Sequence, residues 1–133
     1  MPFPNGNPKL RPLDESLDEP TWIVLENCVY HSLSQKFNVV VKAGFITDLA
    51  SVPRWPGASE IASGQGNSAS VVHDWLYTTC ELSKINSDGI FLEAMVDTNV
   101  EEWRRALMYS AVVRFGDSHY GFKRRDVKLK RTS

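Results

Sequence analysis

The stretch 70-SVVHDWLYTTC-80 decides how this chain is read. Two valines, a tryptophan and a leucine mark the segment as buried, yet a histidine and an aspartate stand side by side in its middle. At about 100° per residue, a helix places His73 on the same face as Ala69, Leu76, Tyr77 and Cys80, with Asp74 at the edge of that face. Asn67 or Ser68 can cap this helix, and it runs to roughly Cys80. A histidine centred on an apolar stripe must hydrogen-bond through at least one ring nitrogen, because an unpaired buried polar group costs about 1–3 kcal/mol. The structural reading pairs it with a backbone carbonyl. The chemical reading pairs it with an acid.

C-terminal to this helix, Ser87 is a candidate cap for a second one, whose apolar stripe is Ile90, Phe91, Ala94 and Met95. Asp88 heads that helix on its core-facing side, where the helix dipole favours the ionised carboxylate. Asp88 can meet His73 only if the first helix stops near Thr78 or Thr79, so that 80-CELSKINS-87 brings the chain back. Asn99 followed by Glu102 resembles a capping box opening a third helix, with Trp103, Leu107 and Ala111 on its stripe and Gly116 as its stop.

N-terminal to the helices, 21-TWIVLENCVY-30 and 37-FNVVVKAGFIT-47 are rich in β-branched and aromatic residues and are joined by the polar 31-HSLSQK-36, which reads as a hairpin. The stretch 48–66, with Pro53, Pro56 and several glycines, reads as a long irregular loop. The expected fold class is therefore α+β: a short antiparallel hairpin or small sheet followed by a three-helix layer in a single domain. Residues 1–20, with Pro2, Pro4, Pro8, Pro12 and Pro20 and the acidic run 14-DESLDE-19, read as an extended N-terminal arm. Residues 21–116 form the globular domain, and 117–133 a basic C-terminal tail.

The whole chain has 133 residues, 42% hydrophobic and 23% charged, with a formal net charge of -1. That size suits one domain, and that charge argues against a duplex-DNA coat or a strongly membrane-attracted surface. Cys28 and Cys80 are too few for a disulfide scaffold and lack C-x-x-C spacing, so two free thiols are expected. No signal-peptide h-region and no transmembrane stretch is visible. The chain therefore reads as a soluble protein made in a cytoplasm.

Three motifs carry a family resemblance: G-F-x-T-D-x-A-S-V-P-R at 44–54, V-H-D-W-L-Y at 72–77, and S-D-x-I-F at 87–91 followed by A-M at 94–95. Together they resemble the uncharacterised, mostly bacteriophage-encoded family catalogued as domain of unknown function number 1353. The resemblance implies a phage or prophage origin and assigns no activity. More distantly, H-D-x-x-Y with an aspartate on a later helix is similar to calcium-dependent phospholipases of the secretory and parvoviral type. That likeness implies a general base at His73, an orienting acid at Asp88 and support from Tyr77. It implies calcium at Asp74, completed by Asp48 or by carbonyls of the 44–54 or 57–66 loop. The glycine-rich stretch 57-GASEIASGQG-66 matches the calcium loop of those enzymes in composition only. Zinc is less well served by His73 alone, since His31 and His119 lie in predicted connections and join only if the fold brings them in.

Two readings of function follow. In the first, the chain is a non-enzymatic virion, assembly or host-interaction protein, with His73, Asp74, Tyr77, Asp88 and Asp48 forming a buried network. In the second it is a small metal-dependent hydrolase using the same residues. Nucleic acid is a further partner class, reached through 122-FKRRDVKLKR-131. The two main readings part on one point: catalysis needs water at His73, whereas side chains sealed and fully paired serve the network.

Overall fold

The computed structural model describes residues 2–13, 21–48 and 67–121. The expected 48–66 loop beyond Asp48, the acidic run and the basic tail from residue 122 lie outside the described residues. Among the described residues, five short strands are followed by three helices: β1 Leu10–Pro12, β2 Trp22–Val24, β3 Cys28–Ser32, β4 Phe37–Val41, β5 Ile46–Thr47, α1 Asn67–Thr79, α2 Lys84–Asp97 and α3 Glu102–Phe115. The fold is α+β, as the residue pattern predicts.

The expected hairpin is present but broken at one level. β3 and β4 pair antiparallel from Cys28↔Val41 to Ser32↔Phe37, and β2 pairs with β5 through Trp22↔Thr47 and Ile23↔Ile46. Trp22 and Cys28 are six residues apart on one strand, as are Val41 and Thr47 on the other, so the register is unchanged across the break. At the break the Asn27 side-chain oxygen accepts from Ala43 N (2.8 Å), and Gly44 takes a φ of 91° while bonding Val24 O. That left-handed conformation is open to glycine at no steric cost. Residues 10–12 of the expected arm add β1 to the outer side of β2 in the order β1-β2-β5.

The ribbon alternates as a half-buried sheet should. Tyr30, Val39 and Val41 face inward and are fully buried against Ala69, Val72 and Leu76 of α1 and Ile90, Phe91, Ala94 and Met95 of α2. Polar bonds lock the same contact: Tyr30 Oη donates to Asp97 Oδ2 (2.6 Å) and Ser32 Oγ to Glu93 Oε1 (2.6 Å).

Three helix expectations need correction. α2 begins at Lys84, and its cap is Ser83, whose hydroxyl accepts from Asn86 N (3.2 Å); Ser87 lies inside the helix. No capping box opens α3. Asn99 takes a φ of 60° just beyond α2, and Glu101 occupies the cap position without a side-chain bond to the helix backbone. The stripe of α3 is also displaced. Met108 and Val112 are the buried residues, whereas Trp103, Leu107 and Ala111 are exposed. The half-buried Arg104, Arg105 and Tyr109 flank the inner face, so stems of long polar side chains cover the space the apolar stripe was expected to fill. Both cysteines are free; Cys28 is buried, which pushes its thiol up to about 11.

Candidate functional site: a buried histidine–aspartate pair between two helices

α1 stops at Thr79, where Cys80 enters the left-handed region at a φ of 56°, and Ser83 starts α2 three residues later. This is the short return that lets the two helices lie side by side. His73 and Tyr77 are one turn apart on α1, and Asp88 sits one turn into α2 facing both. His73 Nε2 lies 2.8 Å from Asp88 Oδ1, and Tyr77 Oη donates to the same oxygen at 2.6 Å. Lys84, four residues before Asp88 on α2, donates from Nζ to Asp88 Oδ2 (2.8 Å) and to Val112 O of α3 (3.0 Å). Asp88 therefore ties α1 to α2, and Lys84 extends the tie to α3.

The cluster is closed. The His73 and Asp88 side chains are 2% and 4% exposed, and Tyr77 is 5% exposed. The imidazole is held between the Tyr77 ring (centroids 4.0 Å apart) and the Phe91 ring (4.6 Å). Gly116, at the end of α3, is the lid over Tyr77: a Cβ there would fall 2.5 Å from the phenol oxygen and 3.2 Å from Lys84 Cε. Sequence reading takes Gly116 as a helix stop, and the packing gives it this second reason to be glycine.

Charges are set by these surroundings. Burial lowers the His73 pKa from its ordinary value and outweighs the pull of Asp88. Burial opposes ionisation of Asp88 as well, yet the bonds from His73, Lys84 and Tyr77 overcome it and hold the carboxyl below its ordinary range. Burial and the Asp88 bond push the Tyr77 hydroxyl far up, so it stays a donor. An ionised carboxylate only accepts, so Nε2 of His73 carries the proton, and in the neutral ring Nδ1 is the basic nitrogen. Chemically, this is a neutral imidazole oriented by a carboxylate. Such a pair can act as a general base if a substrate or water meets it, and can equally serve as a core lock.

The remaining expected site residues are Asp74 and Asp48. Asp74 Oδ2 accepts from Thr47 Oγ1 (2.7 Å), a buried bond that ties α1 to β5. Asp48 is half-buried directly after β5. Among the described residues, no three histidine, cysteine, aspartate or glutamate side chains gather as metal ligands. One Asp74 oxygen is engaged by Thr47, the loop carbonyls beyond Asp48 expected to complete a calcium shell lie outside the described residues, and no chemical step is derived through a cation. Asn38 pairs with His31 on the exposed face of the hairpin, and His119 is exposed beyond α3. Sequence reasoning missed Lys84. Its signal was present in the i, i+4 spacing to Asp88, which matters only once Ser83 is seen to cap the helix.

Among the described residues, no helix is long and apolar enough to cross a membrane. The family whose members are described as "Protein of unknown function (DUF1353)" matches residues 22–112, which span β2 to the last turns of α3 and contain every residue of the cluster. The chain belongs to that family. No curated protein and no solved structure matches it.

Proposed function

We propose that the chain is a non-enzymatic phage protein, a virion, assembly or host-interaction component, in which His73, Tyr77, Lys84 and Asp88 lock the three helices together. The observation that carries this reading is the closure of the cluster: both Asp88 oxygens are occupied, by three donors, and His73 is 2% exposed. A satisfied buried network specifies one packing of the helices and leaves contact with partners to the surface. The phage assignment rests on the three motifs and their mostly phage-encoded family; the segments 1–20 and 123-KRRDVKLKR-131 are the proposed contact regions, the latter for acidic protein or nucleic acid. The test is whether water and reagents reach His73. Diethylpyrocarbonate should modify exposed His119 readily and spare His73 until the protein unfolds. Modification of His73 at a rate near that of His119 would sink this reading.

A second reading is favoured by one specific feature. His73 meets Asp88 through Nε2, Tyr77 shares the same carboxylate oxygen, and Asp74 follows His73 directly. In a small hydrolase, Asp88 would orient the imidazole through Nε2 and stabilise the imidazolium formed when the ring takes a proton from a water attacking an ester. Calcium titration of thermal stability separates the two. A rise in melting temperature that Asp74→Asn abolishes would favour the hydrolase; no rise in either protein would leave the network reading alone.

A further inference from the structure

We propose that the outer edge of β4 is a docking site for an extended acidic peptide segment, which would join the sheet as an added strand. The backbone bonding pattern identifies the edge. His31 N donates to Pro2 O (2.8 Å), away from β4, so the His31↔Asn38 pair is of the non-hydrogen-bonded kind. Val29↔Val40, two residues along, is then of the same kind. Asn38 and Val40 consequently turn both their N–H and C=O groups away from β3, toward the outer edge. β3 and β4 form a two-stranded sheet, and no described residue pairs with that edge. The Asn38 and Val40 side chains are exposed, while Val39 and Val41 anchor the strand in the core.

Charge selects the occupant. Lys36 and Lys42 flank the strand, both exposed, and neither forms an ion pair among the described residues. Lysines on an edge oppose pairing with a second copy: antiparallel pairing symmetric about Val39 would set Lys36 against the copy's Lys42 twice. The same two ammonium groups attract an extended segment with a carboxylate near each end. Backbone bonds to Asn38 and Val40 supply affinity that depends little on sequence, and the flanking lysines supply the preference for acid.

The probe is a fluorescein-labelled peptide, Asp-Thr-Val-Thr-Val-Thr-Asp, whose acids are spaced as Lys36 and Lys42 are, titrated into the full chain. Saturable binding is expected, with amide shifts centred on Asn38 and Val40. N-methylation of the peptide at the amides facing β4 should weaken binding about tenfold or more, with the protein unaltered. Val40→Pro should do the same, since that N–H takes no part in the β3 ladder and proline is tolerated on an edge. Lys36→Glu with Lys42→Glu should reverse the preference toward the same peptide ended in lysine. Any of three results overturns the proposal: no saturable binding, equal binding of acid-ended and lysine-ended peptides, or binding indifferent to N-methylation. Self-association through this edge in place of peptide binding would assign it to a second copy, and would overturn it too.

Discussion

Asp88 is the residue on which the helix layer depends, and its protonation links the cluster to pH. His73 has a folded pKa below its ordinary 6.5, so as pH falls the unfolded chain takes up that proton first. Stability from this group is complete above about pH 6.5 and declines below it. Asp88 also has a depressed folded pKa, so its contribution is present above its ordinary 3.8 and is lost as pH falls through the folded value. Glu93, likewise depressed, adds to that lower limb. Urea unfolding across pH should therefore show stability falling in two stages. His73→Gln should remove the upper stage and leave the lower. Asp88→Asn at pH 7 should cost about 3 kcal/mol, because it strands a buried ammonium contact and two other donors on a neutral partner. A single acid limb, identical in wild type and His73→Gln, would show that His73 does not titrate as a buried neutral group. The meeting of His73 and Asp88 was legible as a condition, that α1 stop near Thr79, and Tyr77 entered as their support through the resemblance to the H-D-x-x-Y phospholipases. Whether water reaches them was not legible, because closure depends on Phe91 and the stem of Lys84 from α2 meeting Gly116 at the end of α3.

At the scale of elements, the start of α2 governs that meeting. With Ser83 as cap, Asp88 falls in the second turn and Lys84 stands four residues before it; with Ser87 as cap, neither relation would exist. Ser83→Ala should cost about 1 kcal/mol. Ser87 is fully buried, and its hydroxyl has no hydrogen-bond partner among the described residues, so Ser87→Ala should be neutral or slightly stabilising. The reverse order of these two effects in thermal melts would return the cap to Ser87. Sequence reading errs here for a physical reason: serine is a common cap, and two serines four residues apart present the same local signal. α3 shows the complementary limit. Periodicity alone allows the stripe of Trp103, Leu107 and Ala111 or that of Met108 and Val112, and the contact with α2 and Lys84 selects the second. The hairpin was legible because β-branched alternation and a polar connection coincide there; the break at Asn27 and Gly44 depends on a side-chain bond that alternation does not encode.

For the molecule as a whole, the matched family segment begins at Trp22, yet the fold extends to the N-terminal side of it. Phe3 is 8% exposed and packs on the Tyr30 ring with centroids 4.9 Å apart, Pro2 caps the outer edge of β3, and β1 covers the outer edge of β2. If these contacts are integral, removing residues 1–20 does two things. It uncovers a face of Tyr30, whose hydroxyl is committed to Asp97 on α2, and it frees the edges of β2 and β3 for pairing with other chains. Phe3→Ala in the full chain should cost about 3 kcal/mol, the usual magnitude for deleting a buried aromatic side chain. The deletion of 1–20 should cost more than that and should raise self-association, read as a concentration-dependent sedimentation profile. Lys9 and Glu26 make only an exposed ion pair at 2.8 Å, so Lys9→Ala should leave the melting temperature almost unchanged and serves as the control for a generic N-terminal effect. Coincident unfolding midpoints for the full and shortened chains would mean that the domain is complete from Thr21 onward and that the arm is available to a partner. A large loss would mean that Pro2, Phe3 and β1 are spent on closing two sheet edges, which would confine any partner contact in this region to what lies outside them.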